Sequence, residues 1–211
     1  MPTPRSHAPL SLVVAQDRRA ATDGDVARGM MDGDEWAVAE AWRRFAPMVL
    51  RMAKRILGSQ SEAEDVGQEV FYQVFRKAKL LREPDSLRSF VYACAIRALK
   101  TELRRRKVRA WLRLDKPEVL ACLGSRTLDV ESRDLLRKFH GLLERLTARD
   151  RLVFVLRRME SMTVEEISAS MEISESTVKR SMAHASSRLS HWISADPGLA
   201  GLLDGGRWGN D

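Results

Sequence analysis

Apolar residues recur at spacings of three and four along most of this 211-residue chain, and nowhere do they alternate with a period of two over a useful length. The first spacing gathers side chains on one face of a helix, whereas the second is what a half-buried strand requires. Val38, Trp42, Phe45, Val49, Met52 and Ile56 make one such face, and Leu135, Leu136, Phe139, Leu142, Leu143 and Leu146 make another. The pattern predicts an all-α chain of two small helical domains joined by a flexible linker.

Punctuation residues mark the divisions. Residues 1–24, with Pro2, Pro4 and Pro9, read as a flexible tail, and 25–108 as the first domain. Within that domain Pro47 predicts a kink or break in the first long helix, and Gly58 ends it. Ser61-Glu62-Ala63-Glu64 has capping-box spacing and opens a helix that buries Ala63, Val66, Val70 and Val74, with Phe71 and Phe75 beside them. After the polar break Arg82 to Ser86, a third helix is predicted from Leu87 to Arg106. Residues 109–130, which include Pro117 and Gly124, read as the linker, 131–193 as the second domain, and 194–211 as a flexible tail.

The second domain carries a more specific layout. Thr147 caps a helix that buries Leu152, Val153, Leu156 and Met159. Thr163-Val164-Glu165-Glu166 is a capping box before a short helix with Val164, Ile167 and Met171 inward, and Ser174 caps the next, with Val178, Met182, Ala185 and Leu189 inward. Two short amphipathic helices with a tight turn between them form a helix-turn-helix. The outward face of the second carries Ser176, Lys179, Arg180 and His184, with Glu175 and Arg188. Polar residues there can reach base edges and cations can meet phosphates. The same spacing would also suit a solvated face on an ordinary helical hairpin.

Charge points the same way. Lys and Arg total 36 against 29 acidic residues, a formal +7, which suits a polyanionic partner. Arg97, Lys100, Arg104, Arg105 and Arg106, with Lys107, Arg109 and Arg113, fall close together with Glu102 as the lone acid among them, and a phosphate backbone would relieve their mutual repulsion. The helix after Gly58 is the opposite. Asp65, Gln68 and Glu69 share one face, which a basic groove on a protein fits better than DNA does.

No phosphate-binding glycine loop, nucleophile elbow or metal-ligand spacing is present, so neither an enzyme nor a cofactor or metal is expected. Cys94 and Cys122 stand alone and read as reduced thiols of a cytoplasmic protein. No apolar run of membrane-spanning length occurs.

The stretch Ser61 to Phe75, SEAEDVGQEVFYQVF, resembles the polymerase-binding segment of extracytoplasmic-function sigma factors, a branch of the sigma-70 family, and Leu146 to Leu189 resembles that family's C-terminal helix-turn-helix. The resemblance implies a factor that binds core RNA polymerase through Asp65, Gln68 and Glu69. It implies that the loop from Glu83 to Ser89 faces an unpaired base of the minus-ten element, and that Lys100, Arg104, Arg105 and Arg106 hold nearby promoter backbone. Ser176, Lys179, Arg180 and His184 would face the minus-thirty-five element, and an anti-sigma protein is a further implied partner. A stand-alone helix-turn-helix regulator is the alternative, although it leaves the acidic face unexplained. Two departures stand out. Phe90 to Arg97 reads FVYACAIR where the family has Trp-Leu-aromatic-Arg-Ile-Ala-Arg-Asn, so Ile96 and Arg97 are atypical, and the helix-turn-helix turn has Glu172 where Gly is usual. A non-Gly residue there predicts a tighter or reshaped turn.

Overall fold

The computed structural model describes residues 21–111 and 130–199. Among them are eight α-helices and no strand. In chain order these are α1 (Asp23–Asp32), α2 (Glu35–Leu57), α3 (Gln60–Lys77), α4 (Leu87–Trp111), α5 (Val130–Glu144), α6 (Ala148–Arg158), α7 (Val164–Met171) and α8 (Glu175–Ser194). Short 3-10 turns lie at Ala78–Leu80, Pro84–Ser86 and Pro197–Leu199. The predicted linker lies largely outside the described residues, as do most of the two tails.

Helices α1 to α4 form the first unit. Ala41, Phe45, Val49, Met52 and Ile56 of α2 meet Val66, Val70 and Val74 of α3 and Val91, Ala95 and Leu99 of α4, all of them buried. Helix α1 begins inside the stretch read as tail. Thr22 caps it through a complete capping box with Asp25, whose carboxyl is lowered to about 2 by the Thr22 backbone and side-chain hydrogen bonds and then by Arg28. Sequence reading missed α1 because its apolar face is only Val26, Ala27 and Met30. Gly29 packs so closely on α2 that a Cβ there would come within 2.7 Å of Ala37.

Several expectations need correction. Helix α2 runs unbroken through Pro47, which sits on the exposed face; the carbonyl it leaves without an amide partner can turn to solvent while Phe45, Ala46, Met48 and Val49 pack beneath. The cap of α3 is Ser59 rather than Ser61, because the left-handed Gly58 (φ 75°) turns the chain there and the Ser59 hydroxyl then accepts from the Glu62 amide. Helix α4 continues past Arg106 to Trp111. Trp42, assigned to the inward face of α2, is 43% exposed at the edge of the unit, where its ring meets Phe71. Leu136 is also on the surface, and Leu199, in the stretch read as tail, is buried.

The second unit packs α5 to α8 around Leu143, Leu152, Phe154, Leu156, Ile167 and Leu189. It also docks on the first unit, with α6 and α7 against α4 and α6 against α2. At the junction a Cβ on Gly58 would lie 2.3 Å from the His140 ring, whereas one on Gly33, also left-handed (φ 88°), would meet nothing within 4 Å. Gly33→Ala should therefore cost only the backbone penalty, about 1 kcal/mol. Gly58→Ala should cost clearly more in denaturant unfolding, and equal losses would show that the His140 contact does not constrain the fold.

Candidate functional site

The acidic surface on α3 follows from helix geometry. Ala63, Val66, Val70 and Phe71 point into the core, which leaves Asp65, Gln68 and Glu69 exposed on the opposite side. Gln73 donates to Glu69 at 2.8 Å and steadies its carboxylate. Tyr72, 57% exposed, continues the same stripe one turn on. It was missed in the sequence, although its spacing of three and four from Glu69 and Gln68 was the available signal.

Between α3 and α4 lies a groove of about 650 Å³, with Glu62, Asp65, Glu69 and Lys77 of α3 on one side and Arg97, Arg105 and Arg109 of α4 on the other. This arrangement divides the basic cluster. Arg106 is largely buried, donating to Glu62 at 3.0 Å and lying 3.7 Å from Glu144 of α5. Arg109 donates to Glu102 at 2.9 Å. Arg104 and Arg105 are exposed, and Lys100 is half-buried. Arg97 is exposed but donates to Glu172 of the second unit at 2.7 Å.

The helix-turn-helix forms as the sequence reading expected. Thr163 and Glu166 complete the capping box of α7, and Ser174 caps α8 by accepting from the Thr177 amide. The turn is not reshaped at Glu172, which takes the left-handed conformation (φ 57°, ψ 48°) usual for glycine. The Ser168 hydroxyl closes the turn on the Ile173 carbonyl at 2.6 Å. Val178, Ala185 and Leu189 are buried, and Ser176, Lys179, Arg180 and His184 are exposed. The Ser176 hydroxyl lies 3.0 Å from that of Ser174, and Lys179 lies 3.8 Å from Glu175. His184 is held from below, with its Nδ1 2.8 Å from the Asp150 carboxylate of α6. Near the end of α8, Trp192 lies under both Arg145 and Arg188, at 4.3 and 4.8 Å from its ring centre.

Residues 41–109 match the family Sigma-70 region 2, and residues 136–189 match Sigma-70, region 4. The chain belongs to the extracytoplasmic-function branch of the sigma-70 family. The region 2 match covers most of α2 and all of α3 and nearly all of α4, and the region 4 match runs from α5 into α8. The chain is similar to the ECF RNA polymerase sigma factor SigM of Mycobacterium tuberculosis, at 24% identity over 92% of this chain and 94% of that protein, in each of two strains. Among solved structures its fold is similar to CnrH in complex with the cytosolic domain of CnrY (TM-score 0.60, 20% identity, 82% of this chain and 98% of that one). It is also similar to the sigma factor RpoE in complex with the anti-sigma factor NepR from Bartonella quintana (TM-score 0.59, 17% identity, 75% and 97%). No group of three or more potential metal ligands occurs among the described residues, and no helix among them is long and apolar enough to cross a membrane.

In this sigma factor Asp150 ties the recognition helix to α6. Burial alone would raise its carboxyl pKa, but hydrogen bonds from Thr147, His184 and Ser181 outweigh that and lower it. A depressed folded-state carboxyl contributes stability that is present above its unfolded pKa and is lost as pH falls through the folded one. Asp150→Asn should therefore lower stability at neutral pH and flatten the acid side of the stability profile, below about pH 4. An acid limb as steep in the variant as in the wild type would remove Asp150 from this role.

Proposed function

We propose that the chain acts as a sigma factor in the cytoplasm, binding core RNA polymerase, directing it to promoter DNA and supporting initiation without itself catalysing a reaction. The observation that carries this reading is that one chain holds both an exposed acidic stripe on α3 and an exposed polar and cationic face on α8. A stand-alone DNA-binding regulator has a use for the second surface but none for the first. Asp65, Gln68 and Glu69 are the proposed polymerase contacts. Arg97, Lys100, Arg104 and Arg105 are proposed for the minus-ten region, with Arg106 directed to Glu62 instead, and Ser176, Lys179, Arg180 and His184 for the minus-thirty-five element. An anti-sigma protein is a further proposed partner, supported by the likeness to RpoE, which was captured with one.

Run-off transcription with core polymerase on genomic fragments tests the reading as a whole, and absence of any core-dependent transcript would overturn it. Asp65→Ala combined with Glu69→Ala should weaken core binding by about 2–5 kcal/mol, the range for desolvated charges in an interface, with helicity unchanged. Undiminished affinity in the folded double variant would reassign the acidic stripe.

The two DNA-facing surfaces should differ in kind. Arg180→Ala should alter which upstream sequences are preferred, because a lost base contact is worth about 1–3 kcal/mol and depends on the base. Arg104→Ala with Arg105→Ala should instead weaken binding to all sequences and reduce the salt slope by about two units, close to one per phosphate. Arg106→Ala should lower stability more than it changes the slope, since its guanidinium already serves Glu62. Binding to a randomised upstream element and to one promoter across a salt series would show the roles reversed if Arg180→Ala acted uniformly and the Arg104/Arg105 pair changed preference.

A further inference from the structure

The two units of this chain are held together by specific polar contacts as well as by apolar packing. The Ile56 carbonyl, in the last turn of α2, accepts from Arg151 of α6 at 3.3 Å, and the Arg55 carbonyl is 3.1 Å from Nε2 of His140 on α5. These are carbonyls that a helix end cannot satisfy within itself. From the other side, Arg55 donates to Glu160 at 2.6 Å, and the Glu160 side chain is 5% exposed.

The same docking brings together two of the residues that depart from the family pattern, Arg97 and Glu172. Arg97 heads a cationic stripe on α4 that continues at spacings of three and four through half-buried Lys100 and exposed Arg104. Glu172 occupies the left-handed position of the helix-turn-helix turn, where an L side chain is disfavoured. Their side chains form one ion pair, 2.7 Å long, that spans the two units. A phosphate approaching Arg97 in this arrangement also meets the Glu172 carboxylate beside it, and like charges at that distance repel. Arg97 can neutralise one of the two.

We propose that Arg97 and Glu172 form an intramolecular latch that keeps region four docked on region two, and that promoter DNA competes with Glu172 for the head of the α4 stripe, so the latch must open when the factor engages a promoter. This rests on the sigma-factor reading above. It assigns a single role to the two sequence departures: a carboxylate replaces glycine in the turn because it reaches across to the arginine.

Arg97→Lys supplies the test in the full-length chain. It keeps the charge and provides an amine that a zero-length carbodiimide can join to the Glu172 carboxylate, and mass spectrometry identifies the joined peptide. In the free variant the introduced amine should cross-link to Glu172, and the yield should fall several-fold once core polymerase and promoter DNA are bound. Glu172→Gln should raise promoter affinity about two- to fivefold, the range for an exposed ion pair. Glu165→Gln removes the same charge from α7 without touching the Arg97 contact and should raise it less. Absence of the cross-link in the free protein overturns the latch. An unchanged yield in a complex that makes run-off transcript overturns the competition, as do equal effects of the two glutamine variants. If the chain forms no complex and no transcript appears, the sigma-factor reading fails and the competition with it, and a cross-link still formed in the free protein identifies that failure as one of function rather than of docking.

Discussion

The junction of the two units depends on how the last turn of α2 is completed. A helix leaves its final carbonyls without intrahelical donors, and burying them unpaired is costly. Here Gly58 turns back to the Lys54 carbonyl, while His140 and Arg151 of the second unit serve Arg55 and Ile56. The carbonyl can only accept, so Nε2 of His140 must carry the proton. Burial lowers the pKa of His140 and keeps the ring neutral, with Nδ1 as a lone pair that finds no partner among the described residues. Arg151 is also desolvated, which lowers its pKa to about 10, yet it remains charged at neutral pH. Its position against the negative end of the α2 dipole favours that charge. Gly58 is thus constrained twice, by its left-handed backbone and by the ring beside it.

The second unit uses the same principle to place its recognition helix. The Thr147 hydroxyl that caps α6 donates to the Asp150 carboxylate, which also receives the His184 ring, so one carboxylate links a helix cap to a side chain on α8. Farther along, Arg145 and Arg188 enclose Trp192 and tie the end of α8 to the segment before α6. Cation-π contacts of this kind are worth about 0.5–1 kcal/mol at exposed sites. The middle of α8 is therefore tied to α6 and its end to the segment before α6, so its outward face is presented by a braced helix rather than by a lone one.

Local signals carried most of the fold. The apolar spacing of α2 to α8 and the caps Thr147, Thr163 and Ser174 were legible because each depends on residues within one or two turns. The errors have local causes as well. Ser59 and Ser61 are both plausible caps by spacing, and only the turn at Gly58 decides between them. Helix α1 escaped notice because its apolar face is small and because Gly24 and Gly29, poor helix formers in isolation, are present for close packing on other elements. The site was legible as a set of exposed types, such as Asp65 and Arg180, but not as pairs. Arg97 and Glu172 are separated by 75 residues, and Asp150 and His184 by 34, with no periodicity to connect them.

The pairing changes how the basic charge of the chain should be understood. A net charge of +7 and a dense run of arginines suggest a broad cationic surface. The fold instead directs Arg106 and Arg109 to Glu62 and Glu102, so those cations help hold α3, α4 and α5 together. What remains directed outward from this cluster is a narrower set, Arg104, Arg105 and Lys107 with Lys100 beside them, headed by an arginine that the docked second unit occupies. Electrostatic attraction to a polyanion depends on the charges that face it within about a Debye length, not on the chain total. Under the proposed latch, the cationic surface that α4 offers to DNA is set by the tertiary arrangement: one stripe when the units are docked and a longer one when Arg97 is released.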